Sequence, residues 1–393
     1  MNYSLNSGTS SQQLLKQWMI TISLLLPLTY YIVYYYFHGT ILFNLHYEEV
    51  NSKSTIILSL LISIYRSLIT INLLLFLTFL NIKVWDRFSI GYKSIFKLNE
   101  YYYNSFDLVL STLSAVVFFV FLVLITLSQK LLNWSDQYKG NLQMRLKTTT
   151  WIWILCISVI LYNKAIRKVI GMSILDMIRI PIQSVSFLSF WVADQMCSLS
   201  LFIKDLNYVL CFTASLFTVG GASLTSCHDQ MHTLTPMFFS TPLLLRMAQC
   251  LRVYYDTRHL SHLFNMLKYF ISLITVLIPH HKPIWIPLAT ISTLYSFYWD
   301  IVKDWGLGNP KSINPFLRDT LIFHDKNFYY FSIVSNLIMR FGWTVPILLQ
   351  KSGNEFNHDI LYIYLLIMEV FRRNQWNFIR LEYEVITRNK TVI

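Results

Sequence analysis

The chain has 393 residues, of which 54% are apolar, 16% aromatic and only 13% charged. That balance excludes an ordinary soluble protein and makes lipid the solvent. The net charge of +12 does not point to nucleic acid: no soluble stretch is large enough for a nucleic-acid-binding domain, and the cations sit in short loops and inside apolar runs, where lipid headgroups or an anionic substrate fit better.

Residues 1–16 form a polar tail rich in Ser, Asn and Gln, so no soluble domain is expected ahead of the first span. Apolar runs long enough to cross about 30 Å of hydrocarbon follow at 17–38, 55–82, 106–128 and 148–163. The first is longer than a signal-peptide core and has no small-residue cleavage site after it, so it is expected to remain as a span. Further runs, richer in polar residues, lie at 183–205, 235–254, 263–279, 286–303, 328–349 and 359–381. The predicted fold is therefore an all-α polytopic membrane protein with about ten transmembrane helices.

With a cytosolic N-terminus, the inside loops carry most of the cations outside the spans, among them Lys83, Arg87, Lys164, Arg167, Lys168, Arg252, Arg258, Lys311 and Arg318. The segment 129–147 is the exception to this positive-inside bias, and both termini are expected in the cytosol. Between Lys164 and Ile180, apolar residues alternate in helical register with Lys164, Arg167, Lys168 and Arg179 before Pro181, the pattern of a helix lying on the cytosolic interface. Asn133 and Asn389 begin formal glycosylation sequons, of which only the first is luminal in this topology.

Cys156, Cys197, Cys211, Cys227 and Cys250 show no CxxC pairing and mostly fall within apolar runs, where cysteine behaves as a small hydrophobe. Neither a disulfide framework nor a metal site is expected from them. His259, His262, His280 and His281 lack the carboxylate or cysteine company of a metal centre. No glycine-rich phosphate loop, nucleophile elbow or HExxH helix is present, so neither an enzyme nor a cofactor is expected.

Ionisable residues inside spans cost a few kcal/mol each on insertion scales, which makes them functional candidates. Asp194 lies mid-run. Asp300 and Asp304 are four apart, so on a helix they face the same way and can grip one cation or two arginines. Arg340 sits midway along 328–349, with Trp343 one turn on. Glu369, Arg372, Arg373, Trp376, Asn377 and Arg380 make a charged stripe on one face of the last span. Lys268 and Tyr269 open an apolar run. Each has an ordinary alternative: internal pairing for Asp194, a solvated helix end for Asp300 and Asp304, snorkelling for Arg372, Arg373 and Arg380. Lys268, Arg340, Arg372 and Arg373 outnumber the carboxylates placed to meet them, which suits an oxyanion, because arginine's planar fork binds phosphate oxygens bidentately.

These residues belong to a longer series of blocks: Phe190-Trp-Val-Ala-Asp-Gln-Met, Gln249-Cys-Leu-Arg252 with Asp256-Thr257, Tyr298-Trp-Asp-Ile-Val-Lys-Asp-Trp-Gly-Leu307, Leu317-Arg318-Asp319, Arg340-Phe-Gly-Trp343 and Phe371-Arg-Arg-Asn-Gln-Trp-Asn-Phe-Ile-Arg-Leu-Glu382. In order and spacing, over about 160–384, they resemble the EXS family of phosphate exporters. The resemblance implies a ten-span exporter whose last six helices enclose an anion pathway, with a four-helix region over 17–163, a transport domain over 164–384 that begins with the interfacial helix 164–180, and a cytosolic tail at 385–393. Plasma-membrane exporters of that family also carry an SPX domain; the size of this chain is similar to the short branch without it, which works in the Golgi.

On that resemblance the phosphate pathway comprises Asp194, Cys197, Lys268, Tyr269, Asp304, Arg340, Trp343, Arg372 and Arg373, with Asp300, Glu369 and Arg380 as supporting charges. Cys197 replaces the family's usual asparagine and donates hydrogen bonds only weakly. The expected reading is that Arg340, Arg372, Arg373 and Lys268 hold phosphate, that Asp194, Asp304 and Glu369 hold those cations when the site is empty, and that Trp343 and Tyr269 act as gates or ring contacts. The resemblance implies return of phosphate from Golgi lumen to cytosol, in support of glycosyltransferase retention and of retention of ER luminal proteins. The plasma membrane and endoplasmic reticulum are the alternative locations. Expected partners are inorganic phosphate and membrane lipids, with Golgi glycosyltransferases, their sorting adaptors and a second copy of the chain as further candidates. The rival reading is a non-transporting scaffold that sorts or retains those enzymes.

Overall fold

The structure, a computed structural model, describes residues 52–98, 110, 112–114, 116–117, 141–180, 182–217, 224–279, 281–351 and 358–390. The runs expected at 17–38 and, for the most part, 106–128, the sequon at Asn133, His280 and Pro181 lie outside these. The described elements, in order, are α1 (Ser52–Arg87), α2 (Tyr92–Ile95), α3 (Asn141–Tyr162), α4 (Lys164–Ile178), α5 (Phe187–Ser198), α6 (Ser200–Phe217), α7 (Leu224–Thr257), α8 (Ser261–Leu277), α9 (Trp285–Tyr298), a π-helical turn (Trp299–Asp304), α10 (Lys326–Arg340), α11 (Thr344–Lys351) and α12 (His358–Lys390). No strand occurs among the described residues. This is an all-α polytopic membrane protein, as the composition requires.

By length and apolarity alone, Ser59–Arg87 is the one described helix able to cross a membrane, or one of up to four spans if each bent pair counts once. The later runs fall short of such a test for a physical reason: their charged residues point inward to one another, so they are tolerated without being apolar. The run expected at 183–205 is bent. The chain breaks at Leu199, and α5 and α6 meet at 80°. The run 328–349 breaks likewise, α10 and α11 meeting at 55° around Phe341, Gly342 and Trp343. Irregular backbone at membrane depth is tolerated where it lines a cavity, and both breaks do so here.

Local chemistry sets several boundaries. Asn163 caps α4, its side chain accepting from the amides of Ala165 and Ile166 at 3.0 and 3.1 Å, and α4 turns 89° away from α3. A right-angle turn lays α4 across the end of α3 and leaves Ile170, Ile174, Leu175 and Ile178 exposed. Ser186 caps α5 through the amide of Ser189 at 3.1 Å and donates to Asp176 on α4 at 2.6 Å. Pro236 and Pro242 sit inside α7, as proline does more often in membrane helices than in soluble ones.

The charged stripe of α12 is buried from Val370 to Ile379, so the helix runs through the centre of the bundle. It packs on α1, α5, α10 and the π-helical turn. On the far side, Arg66 of α1 makes a two-pronged pair with Asp205 of α6, Nε to Oδ2 at 2.6 Å and Nη2 to Oδ1 at 2.5 Å. Both residues lie in expected apolar runs, yet neither stood out in the sequence. The pair fixes α6, whose first residue reaches the cavity described below.

Two expectations about the helix ends are corrected. Cys211 and Cys227 form a disulfide between α6 and α7, their Cα atoms 6.1 Å apart. Spacing alone gave no sign of it, because the antiparallel packing of α6 on α7 is what brings the two together. Arg318 is no free loop cation. It donates to the carbonyl of Trp305 and pairs with Glu382 of α12 at 2.5 Å. Glu382 also accepts from the amide of Ile322 at 2.7 Å and from the Tyr329 hydroxyl at 2.5 Å. Gly306, which follows this junction at φ +62°, presses so closely on Tyr383 that a Cβ would overlap the ring, so the Trp-Gly-Leu sequence is demanded by both backbone and packing.

Candidate functional site

Residues of α5, α6, α7, α8, α9, the π-helical turn, α10 and α12 line a cavity of about 300 Å³. Its walls bring together Asp194, Cys197, Lys268, Tyr269, Asp300, Arg340, Trp343, Glu369, Arg372 and Arg373. Of the twelve residues singled out in the sequence, Asp304 and Arg380 are not among those lining it.

The aspartate pair sits in the π-helical turn, closed by the amide of Trp305 on the carbonyl of Asp300 at 2.9 Å, and turns of this kind recur at functional sites. Asp300 lines the cavity and Asp304 does not. Asp300 alone takes both arginines: its Oδ2 accepts from Nε and Nη2 of Arg340 at 2.9 and 2.5 Å and lies 3.5 Å from Nη1 of Arg372. Asn336 donates to the same oxygen at 3.0 Å. Asp304 is buried away from the cavity and accepts from Trp376 Nε1 at 3.2 Å. Asp300 is thus the counter-charge of Arg340 and Arg372, while Asp304 acts electrostatically on Lys268. Arg380 pairs with Glu384 at 3.0 Å, one turn further along α12.

The remaining arginines are held in the same manner. Arg372 donates to Glu369 through Nε at 2.8 Å and Nη2 at 2.5 Å. Arg373 pairs with Asp194 Oδ2 at 2.7 Å. Ser198, at the break between α5 and α6, accepts from both arginines, and Ser200 at the start of α6 also lines the cavity, so the positive end of that helix faces it. Tyr269 donates to Asp194 Oδ1 at 2.5 Å, which makes it a strut at this level.

Sequence reasoning missed Arg246. It is 2% exposed, lies behind the wall with Nε 3.3 Å from Asp194 Oδ1, and donates to Tyr269 at 3.1 Å and to Gln249 at 2.5 Å. The signal was available, since an arginine inside the run 235–254 meets the criterion that singled out Arg340.

Lys268 differs from these arginines. Its side chain lines the cavity while only 7% exposed, and among the described residues it makes no ion pair. Its ammonium instead lies 4.3 Å from the ring centre of Tyr269 and 5.3 Å from that of Trp299. Four lining cations therefore face three lining carboxylates, Asp194, Asp300 and Glu369, with Arg246 adding a further positive charge behind the wall. At the opposite end, Trp343 donates to Thr293 at 3.0 Å and meets Trp285 edge-to-face at 5.3 Å. No group of His, Cys, Asp and Glu suited to a metal ion is found among the described residues.

The all-helical membrane bundle thus holds a cavity lined by four cations and three carboxylates at its broken helices. The chain belongs to the EXS family, which it matches over residues 61–386, well beyond the stretch from about 160 in which the resemblance was legible. It is similar to "Phosphate transporter PHO1 homolog 1" of Arabidopsis thaliana, with 29% identity over 328 residues, 79% of this chain and 41% of that protein. It is 35% identical over 236 residues to "Solute carrier family 53 member 1" of Homo sapiens, covering 52% of this chain and 33% of that protein. With "SPX and EXS domain-containing protein 3" of Dictyostelium discoideum the identity is 34% over 220 residues, 52% of this chain and 23% of that one. The chain thus spans less than half the length of these relatives.

Proposed function

We propose that the chain moves inorganic phosphate across an internal membrane, from the Golgi lumen to the cytosol, with both termini cytosolic. The observation that carries this reading is Lys268, a buried cation in the cavity wall that makes no direct ion pair among the described residues and feels Asp304, Asp194 and Asp300 only at longer range, beside arginines whose forks are already held in place. An oxyanion that reaches Lys268 has no direct ion pair to displace there. It then competes with Asp300 for Arg340 and with Glu369 for Arg372, exchanging one charge-assisted contact for another. Carboxylates that take the arginines back keep the anion from being held too tightly to leave, as conduction requires. The Arabidopsis thaliana relative named as a phosphate transporter supplies the substrate of this reading.

The orientation is supported by two features. Cations concentrate in the loops assigned to the cytosol, and the Cys211–Cys227 disulfide belongs at the opposite ends of α6 and α7, because disulfides persist on the oxidising side of a membrane. Phosphate recycling of this kind would sustain glycosylation and with it the retention of glycosyltransferases and of ER luminal proteins.

The test is phosphate flux into liposomes containing the purified protein, wild type against Arg340→Ala and Arg372→Ala. Flux in the wild type that is lost in both variants supports the reading. A folded wild type that passes no phosphate overturns it in favour of the sorting scaffold, for which enzyme localisation and not flux would respond to truncating the termini.

A further inference from the structure

A second cavity, of about 470 Å³, lies on the outside of the bundle where α9, the π-helical turn and α10 diverge. Phe297, Ile301, Val302 and Ile333 line it with Phe316 and Tyr330. Tyr330 donates to the carbonyl of Pro315 at 2.7 Å, which fastens the loop bearing Phe316 over one end. Water has no set of polar partners there.

The surroundings identify the occupant. Ile291, Leu294 and Tyr298 on α9, and Tyr330, Val334 and Ile338 on α10, are exposed at helical spacings of three and four, so both flanking faces meet bilayer hydrocarbon. The groove opens between them at the end of both elements where the 305–325 loop begins. Two lysines mark that end. Lys303 follows Val302 in the π-helical turn, and Lys326 stands one turn before Tyr330 on the same face of α10. Neither makes a hydrogen bond or ion pair with any described residue.

We propose that this groove binds one anionic glycerophospholipid from the leaflet on the loop side, its acyl chain against Ile301, Val302 and Ile333 and its headgroup phosphate against Lys303 and Lys326. Ile301 and Val302 belong to the same turn that presents Asp300 to the central cavity, so the lipid braces the segment on which the Arg340 and Arg372 pairs depend. The proposal stands on the groove and the lysines, and does not require that the central cavity carry phosphate.

The experiment is native mass spectrometry of the full chain, delipidated in detergent and then supplied with phosphatidylserine or phosphatidylcholine, beside the Ile333→Trp variant and the double variant Lys303→Gln/Lys326→Gln. The wild type is expected to retain one phosphatidylserine in preference to phosphatidylcholine, with each lysine contributing about fivefold to that preference. Ile333→Trp, which fills the groove, should lose the retained lipid of both kinds. The lysine variant, altered only at the surface, should keep a lipid but no longer distinguish the two. Equal retention by wild type and Ile333→Trp, or no headgroup preference in the wild type, would overturn the proposal and leave ordinary annular lipid.

Discussion

Asp300 receives Arg340 through two nitrogens on a single oxygen, at 2.9 and 2.5 Å, and Arg372 approaches that same oxygen at 3.5 Å. One carboxylate therefore restrains both arginines that would grip an anion. Asp300→Asn preserves the shape and removes the competing charge, so phosphate should bind about tenfold more tightly, a change of about 1.4 kcal/mol, while flux falls because release becomes slower. Equilibrium binding and liposome flux measured on the same preparation separate the two effects. Weaker binding together with slower flux would mean that Asp300 serves to orient the arginines and does not compete with the ligand.

Lys268 offers the complementary test. Removing an arginine from the cavity strands a buried carboxylate, which costs roughly 3–5 kcal/mol of stability, so loss of function there is entangled with loss of fold. Lys268→Met strands no ion-pair partner and keeps the apolar stem. Its thermal midpoint is expected to stay near that of the wild type while phosphate affinity drops roughly 10- to 100-fold, the worth of one charge-assisted contact of about 1.5–3 kcal/mol. Unchanged affinity would remove Lys268 from the site and with it the principal support for the phosphate reading.

The parts of this architecture that could be read in the sequence are those where one residue type is costly in its surroundings. Arg340, Arg372 and Asp194 stood out because a charge in an apolar run demands a partner, and the structure supplies each with one. The same criterion applied without selection would have found Arg246, Arg66 and Asp205. What could not be read depends on backbone geometry that no local pattern encodes. The α-helical register of Asp300 and Asp304 predicted a shared direction, whereas Asp300 lines the cavity and Asp304 accepts from Trp376. Nothing in the composition of the run 183–205 marks the break at Leu199. The Cys211–Cys227 pairing follows from which helices neighbour one another, a long-range fact.

The disulfide carries its own consequence. Closing a loop of 16 residues restricts the unfolded chain by roughly 3 kcal/mol in the chain-entropy account, so Cys211→Ala should lower stability by an amount of that order. Alkylating the protein at extraction without reductant and mapping its peptides under non-reducing conditions should yield the cross-linked Cys211 and Cys227 peptides, with Cys156, Cys197 and Cys250 as the thiols open to modification once the protein is denatured. Recovery of Cys211 and Cys227 as alkylated thiols would remove the argument that this end of α6 and α7 faces an oxidising compartment.

Glu382 is fully buried and accepts from Arg318, the amide of Ile322 and the hydroxyl of Tyr329, tying the 305–325 loop and α10 to α12. Arg318→Ala leaves that carboxylate without its counter-charge and should cost roughly 3–5 kcal/mol. Removing the charge as well, in Arg318→Ala/Glu382→Leu, does not restore the wild-type midpoint, because two buried donors then lack an acceptor at about 1–3 kcal/mol each. Glu382→Gln combined with Arg318→Met keeps an acceptor for Ile322 and Tyr329 without any charge, and should be the most stable of the three variants. Thermal unfolding in detergent ranks them. If the Leu-containing pair recovered wild-type stability, the junction would be held by packing around Trp305 and Tyr383, with its hydrogen bonds contributing little.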